Sequence, residues 1–490
     1  MSARSVDVAV VGAGPAGLAA ALAAAESGAS VALVDAGVRP GGQYWRFPAP
    51  GAGRFTPDTL HHSWRLFVDT NARLDHLAGQ QRVHRLAEHH VWSVERADGG
   101  WAIHCLVGAE PRQQAARPPI TIQARRLILA TGAYDRQLPF PGWDLPGVMT
   151  AGGAQALLKG HLVVAGETAV VAGTGPFLLP VAVGLARHGA RVHGVIEANT
   201  PIGFARSPRA LLGDLTKVGE ASAYGARLAL HRVAVRHRHI VTRAVGTDRL
   251  TGVVVARLGR DGRPETHTER TVACDLLAVG WGFTPQLDLP LQVGCATRMD
   301  VDSSLVVTID DHQQTTVDGV WAAGESTGIG GADLASVEGE IAGRSAAASL
   351  GVAPGPAGLS RLLRRRAALR RFAAVMHRVY SVPPGALDNL PDDTLVCRCE
   401  EVTAGAIRHT IDDLGASDPR TVKLLARLGM GWCQGRVCGF ATVCLTARHL
   451  RRPTRAEDLR AFAQRPIATP TPLGQLAMPP ADGTPDVAGG

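Results

Sequence analysis

Lysine is nearly missing from this chain of 490 residues: it stands only at 159, 217 and 423, so almost all of the 51 basic residues are arginine. The arginines are spread along the chain, and aromatic residues make up only 4% of it. No basic stretch is interleaved with aromatic stacking platforms. That argues against nucleic acid as a partner and assigns the formal charge of +8 to solvated surface. Long hydrophobic runs are missing as well. The most apolar window, 162–186, holds Glu167 and the turn "GTGP", so it reads as strand, loop and helix, not as a transmembrane segment. No secretory leader is expected, because "MSARSVDVAVVGAG" runs directly into a strand–turn–helix pattern. The eight cysteines form no regular framework, which predicts a reducing, cytoplasmic setting. Glycine and alanine, by contrast, are plentiful. They favour α/β domains with close helix–strand contact, roughly three to four of them at this length.

The first 35 residues carry a full βαβ signature. Val8–Val11 is a buried parallel strand, and Gly12-x-Gly14-x-x-Gly17, with Pro15 and Ala16 between, turns it into an alanine-rich helix. The returning strand, Val31–Val34, ends in Asp35. Gly12 makes the tight turn, Gly14 lets the backbone approach a pyrophosphate, and Gly17 lets helix and strand meet closely. Asp35 stands where an acid would accept hydrogen bonds from a ribose. A glycine-rich turn without ligand is the plainer reading of such a motif alone; strand, helix, second strand and acid together outweigh it.

Two further segments follow apolar strands: Ala130-Thr131-Gly132 in "RRLILATGAYDRQLPFPG", and Gly324-Glu325 in "VDGVWAAGESTGIGGADLASVEGEIAG". With the first motif they resemble the two-dinucleotide-binding flavoprotein superfamily, the fold of glutathione and thioredoxin reductases. The resemblance implies FAD at the first site, with the late Gly-acid pair reaching the ribityl and pyrophosphate region; the usual acid there is Asp, and Glu325 is one methylene longer. "RPGGQYW", 39–45, is similar to the segment that runs beside the isoalloxazine, which makes Gly41, Gly42 and Gln43 candidate flavin contacts.

"TAVVAGTGPFLLPVAVGLARHGARVHGVIEA", 168–198, repeats the βαβ pattern with Gly173 and Gly175, but Leu178 occupies the third glycine position. A leucine there widens the helix–strand contact. Glu197 ends the second strand, where an acid favours a free ribose hydroxyl over a 2′-phosphate, hence NAD over NADP. NAD, another adenine nucleotide, or a domain kept for architecture all stay open. The expected order is an FAD domain split over 1–160 and 275–350, an inserted nucleotide-binding domain at 161–274, and a linker at 351–390. In the linker, apolar residues at 359, 362, 369, 372, 376 and 379 predict an amphipathic helix that lays its stripe on the flavoprotein, its arginines in solvent or on a partner. Neither nucleotide domain holds a C-x-x-C. Cys105, Cys274 and Cys295 are isolated, which excludes dithiol chemistry beside the flavin.

A compact module is expected at 391–455, carrying Cys397-x-Cys399 and Cys433-x₄-Cys438. Neither pair has the usual zinc-knuckle spacing. Four thiolates on two tight loops suit a [2Fe–2S] cluster, with zinc the lesser alternative. Between the loops, Thr403 and Asp418-Pro419 are expected to open two short helices. Cys444 reads as core. Arg398 and Arg436, beside the ligands, are expected to raise the cluster's potential by favouring its more negative reduced state. A proline-rich tail follows at 456–490; "RPIATPTPLGQLA" within it is expected to dock, and 478–490 to stay disordered.

The cysteine module is similar to the cluster domain of bacterioferritin-associated ferredoxin, with C-x₄-C in place of C-x₂-C. The whole order resembles the larger flavoprotein subunits of heteromeric amine and imino-acid dehydrogenases, the group of the opine oxidase A, hydrogen cyanide synthase B and hydroxyproline dehydrogenase α subunits. "CRCEEVT", "GMGWCQGRVCG", "AAGESTGIGGADLASVEGEIAG" and "GTGPFLLPVA" carry the likeness, which covers nearly the whole chain. It implies an α/β fold of two Rossmann-like domains, glutathione-reductase-like, plus a small helical [2Fe–2S] domain. It also implies a second FAD-containing, amino-acid-oxidase-like subunit that oxidises a C–N bond, a small ferredoxin-like subunit, and a relay role for this chain. No acid–base–nucleophile constellation of its own is visible. Two other readings remain: a self-sufficient NADH-dependent reductase, and a nucleotide-binding scaffold or redox sensor without turnover.

Overall fold

The computed structural model describes residues 4–53, 57–108, 118–206, 215–352, 358–388 and 390–478. Part of the expected linker and the end of the tail, 353–357 and 479–490, lie outside them. The chain opens on β1 (Arg4–Val11), α1 (Pro15–Glu26), β2 (Val31–Val34), α2 (Trp64–Gly79) and β3 (Val83–Leu86). An antiparallel pair, β4 (His89–Ala97) and β5 (Gly100–Val107), leads into β6 (Ile120–Leu129). The strands order as β3-β2-β1-β6-β5-β4, with β1, β2 and β3 parallel to one another and to β6. Val8, Ala9 and Val10 are all buried because both faces of the strand are covered.

After β7 (Ala133–Asp135) the chain enters a second sheet. It contains β8 (Val148–Thr150), α3 (Ala151–His161), β9 (Thr168–Gly173), α4 (Leu178–Arg187), β10 (Arg191–Glu197), α5 (Leu215–Leu230) and β11 (Val235–His237). The antiparallel strands β12 (His239–Gly246), β13 (Leu250–Leu258) and β14 (Pro264–Ala273) flank it, and β15 (Leu276–Gly280) returns to it before β16 (Phe283–Pro285). Its order is β11-β10-β9-β15-β8, all parallel. This corrects the domain limits read from the sequence. Residues 148–161 and 276–280 pair and pack with the second sheet, so the inserted domain is wider than 161–274. The cause is local: three-residue β8 has no periodicity to read, and its place is set by pairing with β15.

The chain then passes α6 (Asp288–Gln292), the hairpin β17 (Thr297–Met299) and β18 (Leu305–Val307), β19 (Val320–Ala322), which joins β6, and α7 (Ala332–Ala348). Helix α7 lies against α1 through small residues: a Cβ at Gly339 or Gly343 would strike the carbonyl oxygens of Ala16 and Ala20. Helix α8 (Leu359–Val379) spans both nucleotide domains. Leu359 and Leu369 pack on Leu334, Val337 and Ile341 of α7, while Phe372 stacks on Phe204 of the second domain at 6.3 Å. Arg361, Arg364, Arg365, Arg371 and Arg378 are exposed as expected, but Arg366 and Arg370 turn inward to Glu338.

The last module comprises the short pair β20 (Leu395–Cys397) and β21 (Val402–Thr403) followed by α9 (Ala404–Asp412), α10 (Pro419–Ala426), α11 (Gly439–His449) and α12 (Ala456–Ala463). Thr403 caps α9 by accepting from Ala406 N; Asp418 caps α10 by accepting from Arg420 N and Thr421 N, with Pro419 opening it. Helix α12, assigned to the tail by sequence, belongs to this module. Its Phe462 is 3% exposed, and its ring lies against Gly429, Gly435 and Gly439. Eight residues with Leu459 and Phe462 as their large apolar side chains gave too short a pattern to assign it from sequence.

Candidate functional site

At the first site four loops converge. A Cβ at Gly12 would strike the Ala130 carbonyl, one at Gly17 the Gly12 carbonyl, and one at Gly42 would sit 2.8 Å from Gly14 Cα. Gly41 N donates to Ala13 O at 2.8 Å, and a Cβ on Gly324 would stand 2.9 Å from Ala16 Cβ. Helix α1 begins at Pro15, immediately after Gly14, so its free amides face the gap between these loops. Asp35 accepts from Ala13 N at 2.5 Å and from Gly37 N at 2.6 Å; each oxygen keeps a lone pair for a hydroxyl. Burial raises its pKa, and those two bonds oppose the rise. Glu325 accepts from Gly331 N at 2.8 Å through Oε1, while its Oε2 is buried with no hydrogen-bond partner; burial pushes its pKa up to about 7. An unmet acceptor beside a glycine cradle at a helix N-terminus is what a flavin dinucleotide's hydroxyls and pyrophosphate require. These residues fit FAD.

Two candidates are placed differently. Gln43 is exposed and its Oε1 accepts from Arg46 at 2.7 Å. Thr131 donates to Gln286 O at 2.7 Å, and Gly132 O accepts from Gln286 N at 2.9 Å, so this loop ties the following strand as well as flanking the cradle. Three supporting residues gave no sequence signal. Glu338, fully buried on α7, accepts from Gly324 N at 3.2 Å and Thr327 Oγ1 at 3.0 Å, and Arg370 neutralises it at 2.6 Å while donating to Gly328 O. Lys159, 6% exposed, donates to Tyr44 O at 3.1 Å and so anchors the 39–45 segment; burial pulls its pKa down to about 8.

The second site departs from the first. Helix α4 begins only at Leu178, three residues after Gly175, where α1 begins one residue after Gly14. Leu178 is 1% exposed, and Phe177 meets Phe283 edge-on at 5.2 Å where the first turn would otherwise form. Glu197 is occupied by its own loop, accepting from Gly175 N and Asn199 N, both at 2.9 Å, and from Thr174 Oγ1 at 3.1 Å. Burial lifts its pKa to about 7. Beyond it opens a cavity of about 650 Å³, lined among others by Asn199, Thr200, Arg238, Arg260 and Arg378.

The four module cysteines come together. Cys397 and Cys438 share a hydrogen bond, as do Cys399 and Cys433. The Cys438 thiol and amides of the surrounding loops hold Cys397 down to about 5, while Cys438 is driven up. Cys397 and Cys438 are 1% and 2% exposed; Cys399 is exposed and Cys433 half-buried. Among the described residues no group of three His, Cys, Asp or Glu is set to chelate a single metal ion. Four thiols brought together on two loops suit a [2Fe–2S] cluster. Gly431 lies against Cys399, where a side chain would collide. The donor set fits [2Fe–2S]. Cys105, Cys274 and Cys295 are buried with their thiols pushed up by desolvation, and Cys444 is half-buried.

The module sits on the flavin domain. Trp143 Nε1 donates to Leu395 O at 2.6 Å, Arg398 lies 5.3 Å from the Trp143 ring centre, and Arg136 lies 4.2 Å from that of Phe440. Arg436 is paired with Asp288 at 3.1 Å.

Comparison with known proteins agrees with this layout. The family model described as pyridine nucleotide-disulphide oxidoreductase matches residues 6–339, and that of the BFD-like [2Fe–2S] binding domain matches 395–443. The chain is 33% identical over 484 residues to hydrogen cyanide synthase subunit HcnB of Pseudomonas protegens, covering 98% of each. It is 32% identical to the A subunit of opine oxidase from Agrobacterium tumefaciens, over 97% of this chain and 92% of that one. The alpha subunit of sarcosine oxidase from Corynebacterium sp. strain P-1 is 31% identical over 96% of this chain but only 45% of that longer protein. Among solved structures, L-proline dehydrogenase from P. horikoshii has a TM-score of 0.67 at 20% identity, over 98% of this chain and 81% of that chain, a likeness of fold.

Proposed function

Since the chain belongs to the pyridine nucleotide-disulphide oxidoreductase family and is a flavoprotein oxidoreductase with a [2Fe–2S] domain, homologous to subunits of heteromeric enzymes, we propose that it is the electron-transfer subunit of a dehydrogenase or oxidase complex acting on C–N bonds. The substrate class is an opine, a proline or hydroxyproline, or a glycine-type amine. It is oxidised on a second FAD-containing, amino-acid-oxidase-like subunit, and a small ferredoxin-like protein is a further partner. The setting is cytoplasmic; among the described residues no helix is long and apolar enough to cross a membrane. When bound, FAD supplies two-electron and the cluster one-electron redox chemistry.

The chain's own residues bind and orient. Gly12, Gly14, Ala16, Gly17, Gly41, Gly42, Ala130 and Gly324 leave room for the dinucleotide, Asp35 and Glu325 offer acceptors to its hydroxyls, and the four cysteines hold the iron. The observation that carries the reading is the seating of the cysteine loops on the flavin domain. The test is co-purification with the product of a neighbouring gene, followed by anaerobic addition of proline, hydroxyproline or an opine. A cluster signal in electron paramagnetic resonance that appears only with the partner present supports the reading. Cluster reduction by substrate with this chain alone overturns it.

A second reading is favoured by the second domain. The shifted start of α4 and the arginine-lined cavity beside Glu197 suit an adenine nucleotide held without hydride transfer better than NAD turnover. Denaturing release followed by chromatography distinguishes these, and rapid flavin bleaching by NADH would instead make the chain a self-sufficient reductase.

A further inference from the structure

Among the contacts that join the cysteine module to the flavin domain is a buried carboxylate, Asp288. Asp288 opens α6 and is 6% exposed. Its Oδ2 pairs with Arg436 at 3.1 Å and its Oδ1 with Arg465. Both arginines also hold the ligand loop: Arg436 donates to Cys433 O at 3.4 Å and Arg465 donates to Gln434 O. Arg436 further donates to Ala468 O at 2.6 Å, and Gln292, at the other end of α6, donates to Pro466 O at 2.7 Å. Two residues before Asp288 stands Gln286, which is bonded through both its amide and its carbonyl to the Thr131–Gly132 loop flanking the flavin cradle. A continuous path therefore runs from Thr131 through Gln286 and Asp288 to Arg436 and the carbonyl of a cluster ligand.

We propose that Asp288 is a positioning residue that fixes the separation and contact between the flavin cradle and the [2Fe–2S] loop, so that electrons cross within this chain along the 286–288 segment. This inference rests on the relay reading above. With both groups bound, a reduced flavin would supply electrons to the cluster one at a time, its protons going to solvent, and an external one-electron acceptor would reoxidise the cluster between transfers. Asp288 takes no electron. It neutralises two arginines that would otherwise be buried unpaired, and it keeps the loop from rotating away.

The test uses the full chain, loaded with FAD and iron, as wild type and as Asp288→Asn, Asp288→Ala and Asp288→Glu. The flavin is photoreduced anaerobically and the cluster followed by its absorbance and spin signal. In the wild type the cluster is reduced after the flavin. In Asp288→Asn and Asp288→Ala this step slows several-fold, because electron transfer weakens steeply as the ligand loop draws away from the flavin cradle. Asp288→Glu restores much of it. Two readouts stand apart from turnover: the cluster midpoint rises in Asp288→Asn as Arg436 and Arg465 lose their counter-charge, and amide exchange in residues 283–288 and 431–438 accelerates in the cofactor-free chain. An unchanged transfer rate with unchanged exchange in Asp288→Ala overturns the proposal. If the wild-type cluster is never reduced by its own flavin, the relay reading itself falls, while the midpoint and exchange results still report on Asp288 as the pin.

Discussion

Glu325 shows how one methylene changes a site. Its Oε1 is spent on Gly331 N, leaving Oε2 desolvated and unmet, and its pKa is lifted from 4.5 to about 7. An acid whose folded pKa is raised adds stability below its unfolded value and loses it as pH climbs through the folded value. In the flavin-free chain, Glu325 therefore favours the fold at pH 4 and opposes it at pH 8, by about 3 kcal/mol at most. Glu325→Gln should flatten that loss, seen as a higher melting temperature than wild type at pH 8 and little difference at pH 4.5. With FAD bound the order should reverse, because the amide offers a weaker acceptor to the ligand's hydroxyls. Arg436 is a residue-scale correction. Its position beside Cys433 was plain in the sequence, but its pairing with Asp288 was not, since 148 residues separate them. The charge expected to lift the cluster potential is largely cancelled. Arg436→Gln should lower the midpoint only slightly, measured by reductive titration.

At the scale of elements, α8 does more than its amphipathic pattern promised. The apolar spacing was legible; the inward turn of Arg366 and Arg370 was not, because arginine is the commonest polar filler of this chain and carries no mark of burial. Arg370→Met would leave Arg366, at 3.6 Å, as the remaining cation facing buried Glu338, at a cost below the roughly 3–5 kcal/mol of breaking a buried pair outright. The loop held by Gly324 N and Thr327 should loosen with it. The expected result is a fall in FAD per chain by absorbance, with the cluster content unchanged. Phe462 makes the complementary case in the cysteine module. Phe462→Ala opens a cavity against three glycines of the ligand loop and should cost about 3–5 kcal/mol, with the cluster lost on gel filtration while FAD is kept. The glycine motifs, the strands that precede them and the caps of α9 and α10 were readable because each is a local rule of backbone chemistry. What escaped was non-local: the partner of β8, the membership of α12, and the carboxylates that hold cofactor loops from behind.

For the whole molecule, composition and pattern gave the α/β class and the order of modules, since βαβ units announce themselves within about 30 residues. The limits of those modules followed pairing between distant segments and had to be seen. One consequence concerns motion. Helix α8 is pinned to α7 near its start and middle and to the second domain through Phe204, Gly203 and the Asn199–Ser381 bond at 2.7 Å beyond its end. A strut fastened to both bodies leaves no free hinge between them. For one nucleotide domain to swing past the other, α8 would have to give up either the Phe204–Phe372 stack or the Arg370–Glu338 pair. Any change of angle between the two domains is thereby coupled to the contacts at both ends of α8.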